Sequence, residues 1–573
     1  MRRCLYLIVV ALVALPVEAS RVAPVLRPPL WVDADVRNIP VPKERLVSEL
    51  YGIAYNTWLR HFDVAYESDM ARHVPALNVN AWDEVPDSSW FTNRIGVRPM
   101  AFDDIVRTLP GVDPLPGRWH INRVNDEGYT PKFDVADAEG HTYVLKMDPP
   151  EGLERNSSAE RICTLIAHAA GYNVPHDSIV RFRRTDLFVD EKSFYRDERG
   201  NRHPLSEADV DAAVAKLKPL PDRSHRGIAS FYLGSLEKGR LVGRFMYSGV
   251  RKDDPNDIIP HEMRRELRGL RVIASWINHV DVGDKNAMDV WLEDHGRHYV
   301  RHYLMDLSAL GSGSYVNGPY RVGHESIFDG RAIGLSLITL GAWQRPWERQ
   351  GRIELEEIGY FTDALFDPLQ WKPNYPNLAF ERMDEGDAYW GAKIVTAFPD
   401  ETIERLAAAG EFSRPEVTRH LAMVLTARRN AIGRYWLDRV TPLETFRLDP
   451  AAPTPRLSFR DLAVDRGYVE PPLRRYRFWA ADLDGRPVGP VGGASASQIE
   501  LAGLDLRVTS AREPPPDRYG RVPVARLYVQ SNRRDGGWAS PIEVVVGHAS
   551  GSRTIGVLGW THAPRSYRLP ASR

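Results

Sequence analysis

In the run from Asn278 to Asn286, Asp281 precedes Asn286 by five positions with Lys285 between them, and Asp306 follows after a strand-turn-strand pattern. These residue types at this spacing suit phosphoryl transfer. A transferable phosphoryl group spreads its charge over its oxygens, so its catalysis is mostly positioning and neutralisation. A hard cation such as Mg²⁺ takes oxygen ligands, which Asn286 and Asp306 would supply. Asp281, acceptor-only and off the metal, would orient or deprotonate an attacking hydroxyl, with Lys285 beside the transferred group. The competing reading is a turn, because Asp, Gly and Asn also cluster where the backbone must bend.

Such residues need a frame to hold them. From Trp119 the pattern is that of strands: Trp119 to Val124, Phe133 to Ala136 and His141 to Met147, separated by Glu127-Gly128 and Glu139-Gly140 turns. In the third strand the two-residue period places Thr142, Val144 and Lys146 on one face. Ser157 to Gly171 reads as a helix with Ile162, Leu165, Ile166 and Ala169 inward. Glu160 lies off that stripe, where it could pair with Lys146 or close a capping box with Ser157. Two strands, Ser178 to Arg183 and Gly239 to Tyr247, are expected around a charged insertion, with Gly243 to Tyr247 as the link between lobes. A helix from His261 to His279 buries Met263, Leu267, Leu270, Ile273 and Ile277 and leaves Arg264, Arg265, Arg268 and Arg271 as a solvated face. His298 and His302 fall on a strand roughly 13 Å apart, too far to share one metal ion.

The 573 residues are 43% hydrophobic and 26% charged with a formal net charge of -1, an ordinary globular composition with no basic bias toward nucleic acid. Arg2 and Arg3, an apolar run from Leu5 to Pro16 and the Val17-Glu18-Ala19 end fit a signal peptide over residues 1–19. The chain is therefore expected to be exported, periplasmic or extracellular, with no transmembrane span once the signal is removed. Cys163 is then the only cysteine left, which excludes an intrachain disulfide and a cysteine zinc site.

Residues 20–118 form an extension with a helix expected from Lys43 to Asp63 and a lobe-bracing turn from Asp83 to Arg94 that buries Trp82, Trp90 and Phe91. A long helix is expected from Pro415 to Arg439. Four prolines between Thr441 and Pro455 suggest a linker over residues 441–456. The β-patterned remainder, 457–573, suggests a sandwich-like domain.

The chain resembles the HipA-like kinases, and more distantly secreted kinases of the spore-coat CotH type. The resemblance is carried by Gly128-Tyr-Thr-Pro-Lys-Phe133, by Val144-Leu-Lys146, by Glu160, by Asn278-x-x-Asp281-x-x-x-Lys285-Asn286 and by Met305-Asp306-Leu307. It covers residues 119–440 and implies an α+β fold with a bilobal protein-kinase-like core: an N-lobe over 119–250 and a helical C-lobe over 251–440. By resemblance, Gly128, Lys132, Val144, Lys146 and Glu160 would hold ATP or another nucleoside triphosphate, with Lys146 on the phosphates and Glu160 positioning it. Asp281 would be the base, with Lys285 beside it, and Asn286 and Asp306 would bind Mg²⁺. The acceptor would be a hydroxyl of a protein, a glycan or a lipid head group. The sequence departs from the protein-kinase pattern in having no Gly-x-Gly-x-x-Gly loop and Asp-Leu-Ser in place of Asp-Phe-Gly. Those departures keep open a catalytically inactive envelope scaffold. A hydrolase fits less well, for want of a Gly-x-Ser-x-Gly or His-Glu-x-x-His motif.

Overall fold

The structure is a computed structural model and describes residues 35, 37–45, 49–62, 74–125, 130–197, 201–312, 322–349, 355–501, 516, 520–552 and 554–564. The expected signal peptide and Gly128 lie outside them. No helix among the described residues is long and apolar enough to cross a membrane.

The architecture is α+β, with two lobes, an N-terminal extension and a β domain. The extension contributes α1 (Glu49–Thr57) and α2 (Phe102–Thr108). The first lobe is a mixed sheet of β1 (Trp119–Asn125), β2 (Lys132–Ala136), β3 (Thr142–Met147), β4 (Asp177–Phe182), β5 (Leu187–Phe188), β6 (Phe194–Arg196), β7 (Arg202–Pro204) and β8 (His225–Phe231). Its order is β4-β8-β3-β2-β1-β6-β7, with β5 beside β1. Helix α3 (Arg155–Ala170) packs on one face and α4 (Glu207–Val214) belongs to the core on the other. The alternation in β3 is as expected: Tyr143, Leu145 and Met147 are buried, while Thr142, Val144 and Lys146 face the other way.

The second lobe holds β9 (Arg240–Leu241), α5 (Arg265–Ile277), the hairpin β10 (Ala287–Asp294) and β11 (Arg297–Leu304), and helices α6 (Gly330–Ile338), α7 (Leu378–Glu381), α8 (Glu385–Val395), α9 (Asp400–Ala408) and α10 (Pro415–Arg439). The β10–β11 hairpin turns through His295 and Gly296 at φ of 50° and 78°, the left-handed pair that two-residue hairpins favour.

The β domain consists of a sheet of β12 (Leu443–Asp449), β13 (Arg456–Asp461) and β16 (Gln498–Glu500) packed on one of β14 (Tyr476–Ala481), β15 (Pro487–Ala494), β17 (Val522–Ser531), β18 (Ile542–His548) and β19 (Ile555–His562). Leu443, Leu457, Leu527 and Val544 form its core. The stretch expected as a linker therefore carries β12, whose residues pair with β13.

Three further expectations need correction. First, Gly243 to Tyr247 is not the link between lobes. The chain leaves the first sheet at Phe231 and crosses through a 3₁₀ turn, Leu233–Lys238. Gly243 instead lies against Arg45, where φ of 98° and backbone atoms within 3 Å of a Cβ demand glycine. Second, Trp82 is 47% exposed, although Trp90 and Phe91 are buried. Third, Arg264, Arg265 and Arg268 are buried, not solvated.

The reason for the third is a buried charge junction. Arg265 Nη1 donates to Asp83 Oδ1 at 2.7 Å and its Nε to Asp387 Oδ1 at 3.1 Å. Arg268 Nη1 donates to Asp387 Oδ2 at 3.3 Å and to the Val74 carbonyl at 3.0 Å. Asp83 Oδ2 accepts from the His562 backbone N–H at 2.9 Å and lies 2.7 Å from His562 Nδ1. Burial works against the Asp83 charge, but Arg265 and His562 outweigh it and hold the carboxyl below its usual range. Similarly, His302 is buried against Trp90 at 3.5 Å and bonded to Asp289 at 2.7 Å, whereas His298 stacks on Trp291, so the two histidines have separate structural roles.

Removing one partner of a buried ion pair strands the other, at a cost of about 3–5 kcal/mol. Arg265→Met is expected to lower unfolding stability by about that amount in urea titrations. A loss no larger than that of an exposed substitution would show that the junction does not hold the parts together.

Candidate active site

The site begins with Lys146. Lys132 lies directly across from it on β2 and Ile228 across from it on β8, so the three share the sheet face that α3 covers. Asp148 fixes the start of α3 by accepting from the N–H groups of Asn156 and Ser157 at 2.9 and 2.8 Å and from Ser157 Oγ at 2.6 Å. The capping box from Ser157 to Glu160 is therefore not formed. Glu160 is left free to point at the strand, and Lys146 Nζ donates to its Oε1 at 2.5 Å.

The same ammonium donates to Asp306 Oδ1 at 3.1 Å. Asp306 enters from the end of β11 with a left-handed φ of 52°, a conformation that Asp tolerates better than most residues. Its loop is anchored on both sides: the Met305 N–H donates to the Asn286 carbonyl at 2.9 Å, and the Leu310 N–H to Ile277 at 2.7 Å. Ser308 Oγ reaches Glu160 Oε2 at 3.3 Å.

The second group lies where α5 ends. Asn278 stops the helix at φ of 57°, and its Oδ1 accepts from Trp371 Nε1 at 2.9 Å. Beyond it, Lys285 Nζ stands 3.0 Å from Asp281 Oδ2. Asn286 Nδ2 donates to the Asp281 carbonyl at 2.8 Å and to Asp281 Oδ2 at 3.2 Å. With its nitrogen so committed, Asn286 has its amide oxygen to offer a cation. His279, buried between the groups, has its pKa lowered by burial, against the pull of Asp281 and Asp306.

Every site residue expected from the sequence that falls in the described part is thus accounted for. Lys146, Glu160 and Asp306 touch directly, as do Asp281, Lys285 and Asn286. Lys132 adds positive charge near Asp306, and Val144 shares the face of Lys146. What sequence reasoning missed is β8 and the crossing after it. Tyr232 N–H donates to Thr142 at 2.9 Å, and Ser235 Oγ lies 2.7 Å from Thr142 Oγ1, which places the crossing at the edge of the same face. The run Phe231-Tyr-Leu-Gly-Ser235, apolar and then glycine, was the available signal. Also missed was Asp177, a buried carboxylate of β4 that faces Lys146.

The charge balance bears on cation binding. Burial opposes the Lys146 charge, yet Asp306, Glu160 and Asp177 together raise its affinity for the proton. Burial raises Glu160 even beside that ammonium, with Asp177 and Asp306 adding to the effect. Three carboxylates, Glu160, Asp177 and Asp306, thus act on the one Lys146 ammonium. Among the described residues no group of three His, Cys, Asp or Glu side chains has metal-holding geometry. The donor set of one carboxylate and one amide instead fits Mg²⁺, which typically keeps several waters and takes one or two carboxylates plus substrate phosphates.

Beside Asp281 opens a pocket lined by Lys285, Arg244, Tyr375 and Asn377, with Ile53 and Asn56 of α1 as one wall. The extension thus contributes to the site. Asp387 and Trp390 of α8, by contrast, are buried.

No protein-family model matches the chain, and no curated protein matches it. Among solved structures it is similar to the Helicobacter pylori proinflammatory kinase CtkA, with 10% identity over 55% of this chain and 95% of that one and a TM-score of 0.28. It is similar also to the Golgi casein kinase, with 11% identity over 70% of this chain and 97% of that one and a TM-score of 0.26. The Golgi casein kinase with Mn/ADP bound gives 14% identity, 58% and 76% coverage and a TM-score of 0.24. At such values the functional argument rests on the geometry above.

Lys146 is the first cause that holds the Asp306 carboxyl down to about 2, although its side chain is 43% exposed. A carboxyl depressed in the folded state stabilises above its unfolded pKa, near about 3.9, and that contribution disappears as pH falls through the folded value. Wild-type protein is expected to lose more stability between about pH 4 and about pH 2 than Asp306→Asn does, read from urea midpoints. Equal losses would mean that Lys146 does not hold Asp306.

Proposed function

We propose that this chain is an exported, Mg²⁺-dependent phosphotransferase of the kinase-like type, taking ATP or another nucleoside triphosphate as donor and a hydroxyl as acceptor. The observation that carries the reading is the meeting of Lys146, Glu160 and Asp306 around one ammonium, from segments 14 and 160 residues apart. Ordinary stability does not require a buried lysine shared by two carboxylates, since buried ion pairs are often replaceable by apolar residues without loss.

In this reading Lys146 binds phosphate oxygens of the donor, and Glu160 keeps the ammonium aimed at them. Asn286 and Asp306 would hold the divalent cation, which would supply neutralisation of the charge that develops during phosphoryl transfer. Asp281 accepts the acceptor's hydroxyl proton as the new oxygen–phosphorus bond forms and the bond to the departing nucleoside diphosphate breaks. Lys285, at 3.0 Å, pairs with Asp281 and fixes where its carboxylate stands. The pocket beside Asp281, walled by α1, is where the acceptor would enter.

A thermal-shift titration of the full chain with ATP, GTP and a non-hydrolysable analogue, each with and without Mg²⁺, tests the donor site. A ligand at 100 times its dissociation constant stabilises by about 2.7 kcal/mol. A Mg²⁺-dependent rise is expected in wild type and not in Lys146→Ala or Asp306→Asn. No rise with any nucleotide would favour the inactive scaffold.

The role of Asp281 is tested separately, since a general base contributes roughly 100- to 10,000-fold to rate. Asp281→Asn is expected to lower turnover by that factor while leaving the nucleotide-dependent rise in unfolding temperature intact. Undiminished turnover would remove Asp281 from the chemistry.

A further inference from the structure

A groove lies away from Lys146, where the extension, the second lobe and the β domain meet. Its volume is about 860 Å³. Its lining includes three aromatic rings: Trp82 lies 6.0 Å from Trp560 with the rings tilted by 41°, and Phe446 lies 5.6 Å from Trp560. Trp82 keeps 47% of its surface exposed, so an indole face is open to a ligand.

The charge lining the groove is unbalanced, with six cationic side chains against three carboxylates. Glu84 and Glu444 are taken up by Lys393, and Asp400 by Arg429 at 2.6 Å. Arg460 pairs with Asp465 at its rim. Among the described residues Arg98 and Arg447, both exposed, form no ion pair. Two guanidiniums facing a groove without carboxylate partners are suited to an anion, which a planar fork can bind bidentately.

A third observation is local strain. Thr445, which lines the groove, has φ of 58°, an outlier for a β-branched residue. It sits in the irregularity of β12 between Glu444 and Arg447. Bulges of this kind re-aim side chains beside binding sites, and such strain persists where function requires it. The same irregularity interrupts the regular ladder of β12. At the edge of β19, the Trp560 N–H is already donated to Ala81 at 2.9 Å. The groove thus presents side chains and not a free ladder, which disfavours an extended peptide added as a strand.

From the open indole, the unpaired guanidiniums and the occupied edges, we propose that this groove binds an acidic saccharide. Sugar rings would stack on Trp82 and Trp560, and the acid groups would engage Arg98 and Arg447. The site is separate from the proposed phosphotransfer site and stands whether or not that reading holds.

The test is calorimetric titration of the full chain with hexagalacturonate, with neutral cellohexaose and a hexaglutamate peptide as comparisons. Hexagalacturonate is expected to bind with an affinity that falls as salt is added, and cellohexaose to bind at least roughly tenfold more weakly. Arg98→Gln with Arg447→Gln, and separately Trp82→Ala, are expected to weaken hexagalacturonate binding by roughly tenfold or more at an unchanged unfolding temperature, because all three side chains are solvent-facing. The proposal is overturned if hexagalacturonate fails to bind at millimolar concentration, if binding survives both variants, or if hexaglutamate binds as tightly, which would make the groove an acidic-peptide site.

Discussion

The constraint on which this molecule depends is a set of buried charges on one helix. Arg265 and Arg268 of α5 cannot face solvent, so they must find carboxylates and carbonyls inside. They find them in Asp387 of α8, in Asp83 and Val74 of the extension and, through Asp83, in His562 of the last strand. A buried guanidinium left alone is costly, so each partner is needed once the others are in place. That dependence makes the extension and the β domain integral to the second lobe. It also fixes α5, whose end delivers Asn278 and the loop with Asp281 and Asn286.

The site uses a second, smaller version of the same logic. Lys146 belongs to the sheet, Glu160 to the helix packed on it and Asp306 to the opposite lobe, so one ammonium ties the lobes at the place proposed for chemistry. Three carboxylates, Glu160, Asp177 and Asp306, act on that single ammonium.

The regular elements of the site were legible in the sequence because their periods were clean. β3 alternates faces, α3 carries one apolar stripe, and the β10–β11 hairpin has a His-Gly pair at its turn. These set Lys146 on β3, Glu160 on α3 and Asp306 just after the hairpin. β8 was not legible because every residue from His225 to Phe231 is buried, which erases the alternation that marks a strand. The crossing between lobes was lost with it. The arginines of α5 were misread for a different reason: helical periodicity reports which residues leave the apolar stripe, not whether distant carboxylates will cover them. Asp83 lies 182 positions from Arg265, and His562 lies 479 positions from Asp83. No local pattern carries such pairings.

The wall that α1 forms beside Asp281 gives the extension an evolutionary weight that its plain sequence conceals. Two of the surfaces proposed to meet an acceptor come from different stretches of the chain, one from the loop that carries Asp281 and one from a short helix over 200 positions earlier. Sequence drift in that helix could reshape the choice of acceptor while leaving the reacting groups untouched. Relatives sharing the lysine, the asparagine and the aspartates could then diverge in what they modify, and the record of that divergence would lie in the extension.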